Sequence, residues 1–197
     1  MRNNTLTGKR IAILATDGFE QSELEKPKEA LENAGAAVDV IAPVKGTKNG
    51  KIRAWETAGW GDSVKVDVKL SDAEPDEYDM LVLPGGVMNA DHLRTELDAV
   101  NFAMEIAARG TPIAAICHGA WTLIEGDLVR GRTMTSWPSL QTDLRNAGAN
   151  WVDEEVVEDE GLITSRNPED IPAFSRKIIE VLEAEANADA AEYSKAS

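Results

Sequence analysis

The sequence predicts an α/β protein, a three-layer α/β/α sandwich around a mostly parallel sheet. Three observations predict it. Short apolar runs alternate with segments of helical composition, glycines close two of those segments, and the one cysteine stands where such a run meets the next helix. With 197 residues, 43% of them hydrophobic and 28% charged, the chain has the composition of a globular protein able to build its own core.

Ile11 to Ala15 is an apolar run after two basic residues and predicts a buried strand, turned by Asp17-Gly18. Glu20 to Ala34 has helical composition, with Leu24, Ala30 and Leu31 among its apolar positions. Pro27 implies a break, a kink or a helix start near that residue. Gly35 closes the helix and Ala37 to Ala42 is a second strand, giving the strand–helix–strand unit of a parallel sheet. Residues 43–63, rich in Gly, Lys and Thr, read as a long loop that is functional or partly structured. Trp55 and Trp60 at its end imply packing, either on a partner subunit or on the loop's own domain.

Val64, Val66, Val68 and Leu70 alternate with polar residues as a half-exposed strand does. Asp79 to Pro84 predicts another buried strand, ending in Pro84-Gly85-Gly86. A helix follows from His92 to Arg109, closed by Gly110; then a strand from Thr111 to Cys117 and a short helix to Glu125. Arg132–Ser136 and Trp151–Val157 predict strands around a helix between Pro138 and Ala147, and Leu162–Ser165 completes a hairpin. Asn167-Pro168-Glu169-Asp170 starts a last helix, expected to run to about Ala186. One domain, residues 9–185, is expected, followed by a disordered tail over 186–197, which has little to bury.

The net charge of −15 repels phosphate backbones and disfavours nucleic-acid binding. No apolar window reaches the length of a membrane helix, the first residues do not resemble a signal peptide, and a single cysteine permits no internal disulfide. A cytoplasmic location is expected. One cysteine and two histidines make a weak zinc set, and no Gly-rich phosphate loop occurs, so no metal or organic cofactor is expected.

Chemistry in parallel sheets collects beyond the carboxyl ends of the strands, where Cys117 lies. Ala115 and Gly119, two residues to either side, are small, as a tight strand-to-helix elbow around a nucleophile requires. A free thiol with a pKa of about 8.5 is only a few per cent ionised at neutral pH. Lowering that value by roughly 2–3 demands about 3–4 kcal/mol. The N-terminus of the following helix supplies ~0.3–1 kcal/mol, so a histidine or directed hydrogen bonds must contribute the rest. The candidates are His118, adjacent to the sulfur, and His92, which reads more readily as a surface residue of its helix.

The segments Phe19-Glu20-Gln21-Ser22-Glu23-Leu24, Leu81-Val82-Leu83-Pro84-Gly85-Gly86, Ala115-Ile116-Cys117-His118-Gly119 and Leu128-Val129-Arg130-Gly131-Arg132 resemble those of the PfpI family of the ThiJ/PfpI group. The resemblance spans about Lys9 to Glu183. It implies a flavodoxin-like, glutamine-amidotransferase-like fold with Cys117 as nucleophile and His118 as its imidazole. It also implies that Glu20, with Glu23 as rival, is a protonated acid hydrogen-bonded to the thiolate. Backbone N–H groups of Gly86 and His118 would form the oxyanion hole, and Asp91 would orient the histidine across a subunit interface. Such proteins assemble as dimers or hexamers and are described as intracellular peptidases, deglycases of glyoxal or methylglyoxal adducts, or glyoxalases. A stress-protective hydrolase of aldehyde-derived adducts or peptides is the expected function. A redox-sensing or chaperone-like stress protein without turnover is the alternative.

Overall fold

A computed structural model of the chain describes residues 4–44 and 47–196, with side chains through residue 187. The expectations touching residues 1–3, 45–46 and 197 lie outside the described residues. In chain order the elements are β1 (Arg10–Leu14), β2 (Phe19–Glu20), α1 (Gln21–Asn33), β3 (Ala37–Ala42), β4 (Lys51–Glu56), β5 (Gly59–Lys65), β6 (Val68–Lys69), β7 (Met80–Leu83), α2 (Val87–Thr95) and α3 (Leu97–Ala108). They continue with β8 (Ile113–Ile116), α4 (Ala120–Glu125), β9 (Thr133–Met134), α5 (Gln141–Asn146), β10 (Asn150–Trp151), β11 (Val156–Asp159), β12 (Leu162–Ser165) and α6 (Ile171–Ala196).

The main sheet has the order β11-β12-β8-β7-β1-β3-β6 and is parallel except for β11, which closes a hairpin on β12 at one edge. Its strands bury residues on both faces, and alternate residues feed two separate cores. Ile11, Ile13, Met80, Val82 and Ile116 face Leu24 and Leu31 of α1 and Phe174, Ile178 and Leu182 of α6. Ala12, Leu14, Leu81, Leu83 and Ala115 face Phe102 and Ile106 of α3, Leu123 of α4 and Leu144 of α5. Full burial of each such large side chain contributes ~1.5–3 kcal/mol, so the helices are held to the two faces by these stripes. This is the expected three-layer sandwich. Among the described residues no helix is long and apolar enough to cross a membrane.

Local departures from the sequence expectations have physical causes. Pro27 neither breaks nor starts α1: it is buried inside the helix, one turn on from Gln21–Leu24. Much of the expected loop over 43–63 is a hairpin. Asn49 and Gly50 take φ of 56° and 69° at a two-residue turn, and β4 then pairs with β5, with Trp55 and Trp60 edge to face at 5.7 Å. Those tryptophans therefore pack on each other within the chain. The single strand expected over 64–70 is divided, because the chain changes sheets there. Val64 belongs to the hairpin, Asp67 exchanges hydrogen bonds with the backbone of Val40, and Val68 pairs in the main sheet.

The expected helix 92–109 starts earlier, at Val87, and is broken at Glu96, whose extended backbone separates α2 from α3. The expected strand 151–157 is likewise two strands, β10 beside β9 and β11 beside β12. At the last helix, Asn167 Oδ1 accepts from Glu169 N at 2.9 Å with Pro168 following, the start that the sequence predicts. Its far end differs, for the α6 backbone continues to Ala196 instead of ending near Ala186.

Candidate active site

The strand order runs outward from β1 in one direction through β3 and in the other through β7 and β8, so the carboxyl ends of β1, β7 and β8 lie side by side at a reversal of strand order. Clefts form at such reversals. Thr16, the Pro84-Gly85-Gly86 turn and Cys117 are the residues delivered there.

Cys117 ends β8 and takes φ of 61°, a left-handed conformation costing a non-glycine residue ~1–2 kcal/mol. The elbow that imposes it is packed too closely for side chains. A Cβ on Gly119 would overlap Leu83 O, and one on Gly85 would overlap Glu23 Oε2 and lie 2.6 Å from Cys117 Cβ. A side chain is therefore excluded sterically at Gly119, as the sequence implies, and also at Gly85 across the turn. The expected helix behind the sulfur is less favourable than supposed, because a 3-10 turn over Cys117–Gly119 precedes the short α4. Two local donors act instead: the N–H groups of Gly86 and His118 point to the sulfur and favour its anion.

His118 Nδ1 lies 3.2 Å from Cys117 Sγ. Its ring sits between Trp121, edge to face at 5.1 Å, and Trp137, stacked at 6.1 Å. Trp137 N donates to Cys117 O at 3.2 Å, which fixes the second wall to the elbow. Burial lowers the imidazole pKa below its ordinary value, so His118 is neutral at pH 7.

The carboxyl group brought to the sulfur is Glu23, and the assignment of Glu20 to that place is corrected. Glu20 precedes α1 in extended conformation, remains partly exposed and accepts from Ser22 Oγ at 3.3 Å. Glu23, one turn into the helix, points inward with Leu24, Pro27 and Leu31 and is fully buried. Its Oε2 accepts from Gly85 N at 2.9 Å, and the carboxyl interacts with Cys117. Oε1 is buried without a hydrogen-bond partner, which is where a carboxyl proton would sit. Burial first, and then the charge of Glu20, raise its pKa to about 8. Glu23 is thus a neutral acid at pH 7.

Burial and the Glu23 charge push the Cys117 thiol above its ordinary value, against the pull of the two N–H groups, whereas the sequence argument requires it lowered. The two groups titrate as one pair. While Glu23 keeps its proton the repulsion is absent, and the N–H groups of Gly86 and His118 act on the sulfur unopposed by that charge. A thiolate at this site requires the pair to hold one proton, and to hold it on the carboxyl.

Asn89 is a site residue that the sequence did not reveal. Fully buried on α2, it accepts from Thr16 N at 2.8 Å and donates to Pro84 O at 2.9 Å and Gly85 O at 3.0 Å. It ties the ends of β1 and β7 together and fixes the turn whose Gly86 N–H reaches the sulfur. Asp91 and His92 are exposed on the same helix, on the outside of the chain. Among the described residues no cluster of His, Cys, Asp and Glu side chains suited to a metal ion occurs.

A family model described as the DJ-1/PfpI family matches residues 9–181. An uncharacterized protein of Staphylococcus epidermidis is 43% identical over 178 residues, covering 89% of this chain and 99% of the relative. An uncharacterized protein of Staphylococcus aureus is 42% identical over 177 residues, with the same coverage. Among solved structures, a two-domain protein of Anabaena variabilis with DJ-1/ThiJ/PfpI-like and ferritin-like domains superposes with a TM-score of 0.82 at 37% identity. The match covers 88% of this chain but only 48% of that one, so the chain spans about half of that protein. Drosophila melanogaster DJ-1beta superposes with a TM-score of 0.79 at 28% identity, over 89% of this chain and 90% of the other.

Proposed function

The chain belongs to the DJ-1/PfpI family, and we propose that it is a cysteine-dependent hydrolase of small aldehyde-derived adducts, with Cys117 as nucleophile. One observation carries this reading. At a strained strand-end turn, a single sulfur has an imidazole nitrogen at 3.2 Å, two backbone N–H donors and a buried, uncharged carboxyl group beside it. An inert core cysteine needs none of these.

For a glyoxal adduct, whose aldehyde carbon neighbours the carbon bearing the amine or thiol, the geometry supports these steps. The thiolate adds to the carbonyl carbon, and the π pair moves to oxygen, where the Gly86 and His118 N–H groups stabilise it. That oxygen takes a solvent proton, and neutral His118 removes the proton from the carbon now bearing sulfur. The bond from the neighbouring carbon to the amine or thiol breaks, His118 passes the proton to the leaving group, and the enol left behind shifts to the thioester. Water then adds to the thioester and releases the acid, restoring the sulfur. Cys117 is only 7% exposed and its partner His118 is walled by Trp121 and Trp137, a setting that favours small substrates over polypeptides. Continued activity requires a reduced thiol, which fits a cytoplasmic location.

The test compares the wild-type chain and Cys117→Ser on glyoxal-treated amines and on a fluorogenic peptide. Turnover of the adduct should fall by at least ~10³-fold in the variant. Retained turnover, or peptide cleavage faster than adduct cleavage, overturns the assignment of nucleophile or of substrate respectively.

Self-association belongs to the same proposal. Asp91, exposed on α2, would orient His118 of a second copy in a dimer or hexamer. Asp91→Asn should then lower turnover without changing the fold, as read by activity beside circular dichroism. Full activity in a chain shown to be monomeric by analytical ultracentrifugation removes this part.

A further inference from the structure

Between Asp39 and Glu56 the sequence carries Lys45, Lys48, Lys51 and Arg53 and no acidic residue, in a chain with 35 acids and 20 bases. The structure gathers three of these cations. An open groove of about 490 Å³ runs along the hairpin, with Lys48, Lys51 and Arg53 along it, Trp60 as apolar surface and Asp17 at one side. Among the described residues none of the three cations has an ion-pair partner, although eleven ion pairs use basic residues elsewhere. Asp17, the one acid in the lining, offsets part of that charge; its Oδ1 accepts from the Arg53 backbone N–H at 2.6 Å, which holds it to the groove wall. Arg53 in turn lies over the Trp60 ring, 5.5 Å from its centre, and donates to Gly61 O at 3.2 Å. The hairpin thus presents Trp60, 48% exposed as a residue, beside three basic side chains.

We propose that this groove binds a small phosphorylated compound with a planar ring, the ring against Trp60 and the phosphates on Lys48, Lys51 and Arg53. The volume lies within the range of about 300–1,000 Å³ in which small ligands are held. Charge decides the size of the ligand. The chain as a whole is acidic, and screening confines each charge to about 8 Å at physiological salt. A compact anion inside the groove meets the local cations, whereas a long polyanion would extend over the repelling surface beyond. The site uses none of the residues around Cys117 and goes beyond the hydrolase reading. The two are linked through the backbone, where Gly18 N donates to Arg53 O at 2.8 Å and Glu20 N donates to Gly85 O at 3.2 Å, and through the core that Ile52 shares with Cys117.

The experiment titrates ADP into the Cys117→Ser full-length chain by calorimetry while following tryptophan fluorescence, so that failure of the thiol chemistry does not bear on it. Saturable binding with quenching is expected, weaker for pyrophosphate, absent for adenosine and declining with added salt. Lys51→Glu, at an exposed position that leaves the core intact, should weaken ADP at least about tenfold, and Trp60→Ala should reduce the advantage of ADP over pyrophosphate. No saturable heat, an affinity unchanged by Lys51→Glu, or tighter binding of a single-stranded RNA than of ADP overturns the proposal. So does a change of oligomer mass in Lys51→Glu with ADP affinity untouched, which would make the groove a contact between copies.

Discussion

Glu23→Gln is expected to raise the stability of the chain at pH 8 by roughly 3–5 kcal/mol while leaving it nearly unchanged near pH 4. The sign follows from the direction of the shift. Burial raises the folded-state pKa of Glu23 from 4.5 to about 8. Between those values the folded chain holds a proton that the unfolded chain has released. Its stability is therefore full below about pH 4.5 and declines as the pH rises through about 8. Glutamine has nearly the same shape, its carbonyl oxygen can accept from Gly85 N, and it carries no proton to lose. Urea unfolding of both chains at the two pH values measures the difference, and parallel pH dependence would refute the buried neutral acid.

The same variant reports which member of the pair holds the proton. If Glu23 donates an O–H bond to the thiolate, the weaker amide donor should slow alkylation of Cys117 at pH 7 several-fold. If Glu23 were instead an anion beside a thiol, removing its charge would speed alkylation. A more stable and less reactive variant is the expected outcome, because the carboxyl is buried at a cost to folding and acts through the sulfur.

How much of this was legible in the sequence depends on how local each cause is. The sandwich was legible because its strands are short apolar runs whose alternate residues serve two cores, and no long-range information is needed to see such runs. The elbow was legible because Gly119 answers a steric demand within two residues of Cys117. Glu23 was only half legible. Both acids stand near the start of α1, and the choice turned on where the helix begins: with Gln21 first, Glu23 falls on the inward stripe of Leu24, Pro27 and Leu31. The hairpin had little local signal, because the turn between β4 and β5 falls at Thr57-Ala58, while Asn49-Gly50 turns the chain before β4 begins. Asn89 had none, since its three partners lie on β1 and in the turn after β7 and meet only in the fold.

Gly86→Ala should destabilise the chain by at least about 3 kcal/mol and remove most of the thiol reactivity that survives in the folded fraction. Gly86 takes φ of 88° and ψ of 124°, a region that side chains other than hydrogen rarely enter. A Cβ there would overlap Gly18 O and lie 2.6 Å from Glu20 N and 2.9 Å from Phe19 C, all backbone atoms that cannot rotate aside. Relief must come from moving the turn, and the turn carries the N–H aimed at the sulfur. Gly131→Ala separates strain from crowding. Its φ is 78°, yet nothing lies within 4 Å of the added carbon, so its cost should stop at about 1–2 kcal/mol with reactivity intact. Denaturation midpoints and alkylation rates for the two variants decide the matter. Equal losses would mean that the close approach of β2 to the Gly86 turn contributes nothing. A loss confined to Gly86→Ala would show that the backbone contact holding the fold together at this point also positions one of the donors on which the thiolate depends.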